Sequence, residues 1–362
     1  MNKNKSISGE IVSKEEIFSG TITFENTIND IKYEEDKIYN KYIIPGFIDL
    51  HCHGGNGYDS MEGLKSIKKI SEYHLSHGTT TLYPTTVTAN LDNTLYALKG
   101  LNDYLKENKK ISNIEGIHLE GPFLNPNKMG AQPPFAQLPN YNFIKILINE
   151  APIKIMTLAP EINGGLDLID FLINNKIKPQ IGHSLANYDC CTIAMKRGVR
   201  SFTHLYNAMS GFDHRNPGVA AAAFSKAEYA EIICDLIHVN EQMIKLAHEN
   251  IDKLYSITDS VSASGMPDGK YKVGTYKVYK KNEVVKLDKN TLGGSVVTMD
   301  KAFKNLIKIG LSVQEAVKMT STNASKYINK KDIGNISKGA KANLLVLNSK
   351  FDLKEIYLNG KK

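Results

Sequence analysis

The chain has 362 residues, 41% hydrophobic and 23% charged, with 27 glycines and 12 prolines. That composition excludes collagen-like, disordered and coiled-coil chains and leaves room for two domains, or one large domain with additions. The formal charge of +7 rests on 45 basic residues, yet only Arg197, Arg200 and Arg215 are arginines; without arginines interleaved with aromatics, no nucleic-acid partner is expected. Met1 to Glu10 is polar, and nowhere do eighteen apolar residues run together, so neither export nor membrane spanning is expected. Cys52, Cys190, Cys191 and Cys234 fit no disulfide framework and no paired-CxxC zinc site, which suits a cytoplasmic protein in a reducing compartment.

Residues 1–42 read as short strands with polar turns, such as Gly20 to Phe24 and Ile31 to Tyr33. From Tyr42 onward, short apolar runs alternate with stretches of 3.6 periodicity. Tyr42 to Leu50 leads to a helix near 62–77, and Thr79 to Tyr83 to one near 91–107. Asn113 to Leu119 is the third strand, followed by Ile153 to Leu158 with helical 166–173, and Lys178 to Ile181 with helical 188–197. Arg200 to Thr203 is the sixth strand, Glu231 to Leu236 the seventh with a helix at 240–250, and Leu254 to Thr258 the eighth with helices near 296–309 and 312–328. Eight strand-then-helix units predict an α/β fold, a closed (β/α)8 TIM-type barrel over residues 45–334. Asp268 to Val285 reads as a hairpin inserted after the eighth strand and able to fold over the barrel mouth. Both chain ends are β-rich and too short to bury a core alone, so residues 1–44 and 335–362 are expected to pair into one small β-sandwich domain.

In such a barrel, chemistry sits at the C-terminal ends of the strands. The first strand ends in His51-Cys52-His53, the third in His118-Leu119-Glu120, the fifth in Gly182-His183-Ser184, the sixth in Thr203-His204-Leu205 and the eighth in Thr258-Asp259-Ser260. Side chains alternate along a strand, so His51 and His53 point the same way and can share a cation. Histidine and carboxylate are costly to bury unpaired, and donors at five strand ends of one mouth therefore predict a metal site. Glu120, His183 and His204 supply a catalytic set with an open position, and His51 and His53 can hold a second cation. Zn, Fe, Mn and Co all accept such ligands, with zinc expected first; a bound ion lowers the pKa of its water toward about 7, as a hydrolase requires. Asp259 need not be a ligand and is the candidate general acid/base. His74, His77, His248, Cys190 and Cys191 fall in helical stretches and read as packing residues.

These motifs resemble the amidohydrolase superfamily, and within it the branch acting on phosphorylated N-acetyl amino sugars. The resemblance rests on Pro45-Gly46-Phe47-Ile48-Asp49-Leu50-His51-Cys52-His53-Gly54, His118-Leu119-Glu120-Gly121-Pro122, Gly182-His183-Ser184, Thr203-His204-Leu205-Tyr206-Asn207-Ala208-Met209, Thr258-Asp259 and Gly265-Met266-Pro267-Asp268-Gly269. It implies hydrolysis of the acetamide of N-acetylglucosamine 6-phosphate to glucosamine 6-phosphate and acetate, with Glu120, His183 and His204 on the metal and Asp259 as acid/base. It assigns substrate contacts to Ala131, Asn207, Ala208, Arg215, His238 and Leu292-Gly293-Gly294, and it implies a homodimer. Arg215 has the fork geometry for phosphate oxygens, and His238 can add a second bond from either its own or the neighbouring subunit. Gln132 stands where the family usually has histidine; it can contact the substrate carbonyl but carries no charge. Leu236 stands where glycine is common. The alternatives are the same chemistry on N-acetylgalactosamine 6-phosphate or another N-acyl substrate, a cyclic-amide hydrolase, and a non-catalytic sugar-phosphate binding barrel.

Overall fold

Asparagine caps set the rhythm of the helical layer. Asn90, Asn140, Asn187 and Asn240 each accept a backbone N–H through the side chain, at the starts of Leu91–Lys106, Tyr141–Glu150, Tyr188–Lys196 and Glu241–Asn250. Each cap satisfies one of the donors a helix leaves unpaired at its N-terminus. The structure, a computed structural model, describes residues 5–107 and 111–362; Met1 to Asn4 of the expected N-terminal strand region lie outside the described residues.

The barrel strands are β1 (Phe47–Cys52), β2 (Thr79–Thr86), β3 (Ile117–Glu120), β4 (Ile153–Leu158), β5 (Lys178–Ile181), β6 (Ser201–Phe202), β7 (Tyr229–Ile233) and β8 (Lys253–Ile257). β1 to β6 form one parallel sheet in sequence order, and β7 pairs with β8. The ring closes through Tyr229 N–H to Arg200 O (3.0 Å), Leu205 N–H to Glu231 O (2.8 Å) and Asp259 N–H to His51 O (2.9 Å). Apolar strand and helix faces merge into one large core.

Three expected elements differ. The third unit has a helix of its own, Tyr141–Glu150, burying Phe143, Ile144 and Leu147. β7 starts two residues before its expected start and stops at Ile233; Leu236, expected to end it, takes a left-handed φ of 63° that a strand cannot accommodate. The last helix is broken into Val313–Val317, a π turn Lys318–Thr322 and Asn323–Tyr327. The insert after β8 forms three antiparallel strands, Gly269–Val273, Tyr276–Lys281 and Val284–Lys286. Its valines pack on Val87, Val261 and Val296 above the barrel.

The chain ends meet, but in one sheet of six strands rather than the two facing sheets of a sandwich. Strand 344–348 lies between 353–357 and 41–45, and 5–12 joins 41–45 to 17–24 and 28–33. Alternation explains why one sheet suffices: Ile11, Ile43, Leu344 and Val346 bury one face in a local core, while Val12, Ile44, Leu345 and Leu347 bury the other in the barrel core. The sheet curls until Phe24 meets Tyr357 edge-on at 5.1 Å.

Gly100, inside a helix, illustrates how closely the outer layer packs. A Cβ there would lie 2.4 Å from Gly63 Cα. Alanine would ordinarily favour a helix over glycine, but here overpacking dominates. Gly100→Ala is expected to lower stability by about 1–3 kcal/mol, read from denaturant midpoints.

Candidate metal centre

The donor-bearing strand ends converge at the C-terminal rim. His183, His204 and Asp259 each lie two residues past the end of a strand and take left-handed φ values of 49°, 28° and 48°. For non-glycine residues this is costly backbone, and here it turns each side chain back toward the barrel axis.

Glu120, 1% exposed, stands at the middle. Its Oε1 lies 3.2 Å from His183 Nε2 and 3.1 Å from His204 Nε2, and its Oε2 lies 3.2 Å from His53 Nε2 and 3.6 Å from His51 Nε2. Within each histidine pair the Nε2 atoms are 3.1 Å apart. Asp259 Oδ1 faces the same space, 3.2 Å from His53 Nε2 and 3.5 Å from His51 Nε2.

The far ring nitrogens define which atom is free. His53 Nδ1 meets Thr85 O at 3.1 Å, His183 Nδ1 meets Lys128 O at 2.7 Å, and His51 Nδ1 meets Glu231 Oε2 at 2.9 Å. A carbonyl or carboxylate partner requires Nδ1 to be the donor, which leaves Nε2 facing the centre, with a lone pair there whenever the imidazole is neutral. His204 is oriented by its own backbone, whose N–H donates to Glu231 Oε2 at 3.2 Å, while its Nδ1 has no partner among the described residues.

Among the protein groups alone, the carboxylates draw protons onto the imidazoles. Burial works against a charged His53, but the bonds to Asp259 and Glu120 carry its pKa up to about 9. Burial likewise opposes charge on His51, and Glu120 and Glu231 overcome it, raising the pKa well above the usual range. Burial opposes ionisation of Glu120, and His51 and His183 nevertheless hold it well below the carboxylate range. Asp259 is also held low, burial being outweighed by the His53 bond and the nearby His51 charge. Such a cluster demands positive charge between its carboxylates and imidazoles. The donor set, imidazole nitrogen with carboxylate oxygen, fits one or two divalent cations, with two candidate groups sharing Glu120.

A cavity of about 520 Å³ opens over this centre. His53, Glu120, Ala131, Gln132, His183, His204, Asn207, Ala208, His238, Asp259, Leu292 and Gly294 line it. His51 lies beneath, fully buried. Gly293 turns away, its N–H donating to Val285 O at 2.9 Å. Arg215 is not at the cavity: it is exposed in a turn where Asp213 Oδ1 accepts the N–H groups of Arg215 and Asn216, projecting the loop outward. Gln132 is engaged by protein, its Nε2 donating to Glu120 Oε2 and its Oε1 accepting Thr88 N–H at 2.7 Å.

Sequence reasoning missed Glu231, the buried carboxylate orienting His51, which it placed at the start of the seventh strand and which the structure puts in its middle. It missed Asp235, which accepts from His238 Nδ1 at 2.6 Å, and Lys128 and Thr85, which act through backbone carbonyls. The insert contributes Val273, and the segment after it Asn290 and Thr291, to the cavity wall. Of the other histidines, His118 Nδ1 meets Leu50 O at 3.0 Å and its Nε2 meets Thr157 Oγ1 at 2.8 Å, His74 Nε2 contacts Cys52 Sγ at 3.1 Å and Gly54 O at 2.9 Å, His77 pairs with Asp300, His248 pairs with Glu315, and His214 is exposed.

A closed parallel barrel with imidazoles and a central carboxylate at its C-terminal rim defines a metal-dependent hydrolase scaffold. The chain belongs to the amidohydrolase family, whose profile matches residues 42–362. It is 33% identical to an N-acetylglucosamine-6-phosphate deacetylase from Lysinibacillus sphaericus, over 85% of this chain and 81% of that protein. It is 30% identical to an N-acetylgalactosamine-6-phosphate deacetylase from Escherichia coli O157:H7, over 88% and 86%. Its fold superposes with a TM-score of 0.93, at 26% identity and 99% coverage of both chains, on a variant N-acetyl-D-glucosamine-6-phosphate deacetylase from Mycobacterium smegmatis in complex with N-acetyl-D-glucosamine-6-phosphate.

Proposed function

We propose that this chain hydrolyses the acetamide of N-acetylglucosamine 6-phosphate, releasing acetate and glucosamine 6-phosphate in amino-sugar breakdown. The observation that carries the reading is the Asp259 carboxylate standing over a centre in which four imidazole Nε2 atoms converge on Glu120. Glu120, His183 and His204 would hold one divalent cation, zinc first among Zn, Fe, Mn and Co, and His51 and His53 a second. When bound, the cation supplies a Lewis acid that polarises the amide carbonyl and acidifies water. Asp259 takes a proton from the attacking water as the carbon–oxygen bond forms, then returns it to the amine nitrogen as the carbon–nitrogen bond breaks. Ala131, Asn207, Ala208, Leu292 and Gly294 shape the sugar site, and Gly293 sets the turn that presents its neighbours.

His238 anchors the phosphate from its own subunit's cavity wall. Burial is the largest single influence and disfavours its charge, but the Asp235 bond together with the Asp235 and Asp259 charges raises its pKa. A raised pKa means the charge is present below it and lost as pH rises through it. KM is therefore expected to rise about tenfold or more at pH values above the raised pKa, matching the loss of a charge-assisted bond. Asp235→Asn is expected to move that rise to lower pH, read from KM against pH.

Arg215 is exposed and does not line the cavity of its own chain; in this reading it serves the phosphate of a neighbouring copy in a homodimer. The four cysteines are free thiols, and among the described residues no helix is long and apolar enough to cross a membrane; the reading includes a cytoplasmic placement. In the same reading, residues 45–334 are the catalytic barrel, and 1–44 with 335–362 the accompanying β domain. The second reading, N-acetylgalactosamine 6-phosphate as substrate, is favoured by the similarity to the E. coli enzyme. Acetate release measured side by side on the two hexosamine phosphates, with metal analysis of the purified protein, tests the proposal. No release from either sugar phosphate by metal-loaded protein would overturn it.

A further inference from the structure

The two oxygens of Glu120 are not equivalent. Oε1 faces the Nε2 atoms of His183 and His204, whereas Oε2 faces His51, His53 and the side-chain amide of Gln132. The amide can sit in only one orientation. Thr88 N–H donates to its Oε1 at 2.7 Å, so Nε2 and its hydrogens must face Glu120. At 6% exposure, little water competes for that bond.

We propose that Gln132 is a positioning residue that ranks the two halves of the centre: by engaging Oε2 of Glu120, it makes the half built on Oε1, His183 and His204 take a divalent cation before the half built on His51 and His53. The inference rests on the metal-centre reading above and deepens it. A carboxylate oxygen that already accepts a hydrogen bond from a fixed donor has less electron density to offer a cation. Oε1 has no such competitor, since its two close partners among the described residues are imidazole nitrogens. One short segment serves both ends of this division. Lys128 O holds His183 Nδ1, orienting a ligand of the favoured half, and four residues later Gln132 occupies the oxygen of the other. On this reading Gln132 acts through Glu120 and contacts the substrate only with its remaining amide hydrogen.

The test is cation binding, independent of turnover. Protein stripped by chelation and titrated with Zn²⁺ in equilibrium dialysis is expected to take one equivalent at least about tenfold more tightly than a second, the scale on which outer partners change metal affinity. Gln132→Met keeps the length of the side chain and removes the donor. It is expected to tighten the second equivalent until the two lie within about threefold, leaving the first unchanged. His51→Ala, with Gln132 in place, is expected to retain the tight equivalent, and His183→Ala to lose it. Equal wild-type affinities, a Gln132→Met profile that is unchanged or weaker at both sites, or a tight equivalent lost with His51→Ala and kept with His183→Ala would each overturn the ranking alone. Failure of wild type to bind any Zn²⁺ would overturn the metal-centre reading together with it.

Discussion

Asp259→Asn is expected to lower kcat by about 10²- to 10⁴-fold while the protein stays folded and its cation content stays unchanged. Asparagine has the shape of aspartate and tolerates the left-handed φ of 48° at this position better than most residues, so the backbone has no reason to move. The turn is also fixed from outside the side chain, by Asp259 N–H donating to His51 O and by Thr258 Oγ1 donating to Asp49 Oδ2 at 2.6 Å. What is lost is a basic oxygen 3.2 Å from His53 Nε2, the only carboxylate of the cavity rim that is not shared between the two histidine pairs. Steady-state kinetics on the hexosamine phosphates with metal analysis of the same sample separates the roles. A fall in kcat at constant metal content marks an acid/base. Loss of bound metal in parallel with activity would make Asp259 a ligand instead.

The catalytic face was legible because two periodicities coincide. Eight short apolar runs located the strand ends, and period-two alternation put His51 and His53 on one side with Cys52 opposite, where the thiol indeed meets His74 behind the sheet. Parts that act through the backbone leave no such trace. Any residue could supply the carbonyls of Lys128 and Thr85 that set the tautomers of His183 and His53. The helix Tyr141–Glu150 was lost because its apolar residues run almost directly into those of β4, separated only by Ala151-Pro152, so its 3.6 periodicity has no visible end. Glu231 was hidden for the opposite reason: a lone acid in a five-residue strand reads as a solvent-facing position, and only barrel closure places it under His51. The sandwich expected of the chain ends assumed that two cores require two sheets, whereas one alternating sheet serves both. Arg215 marks another limit, because its place in the sequence does not reveal that the Asp213 turn leaves it exposed and off the cavity wall.

Glu120→Gln is expected to empty the centre. Whichever way the new amide turns, its NH₂ group confronts one of the two histidine pairs and its carbonyl the other, so no orientation gives both pairs an anionic oxygen. Gln132 biases the choice, since its Nε2 already donates toward the Oε2 position and would be met there by a carbonyl more readily than by a second donor. The NH₂ then falls between His183 and His204, the pair with the open site above it. Cation affinity is expected to drop by more than the roughly 10- to 100-fold typical of outer partners, because this residue is a direct ligand candidate, and activity should fall with it. Stability reports the same loss without an assay of turnover. A ligand at a hundredfold excess over its Kd adds about 2.7 kcal/mol to the folded state, so wild type should melt several degrees lower in chelator than in excess Zn²⁺. In Glu120→Gln the two melting curves should coincide; a variant that keeps the wild-type gap would mean that the cation is held elsewhere.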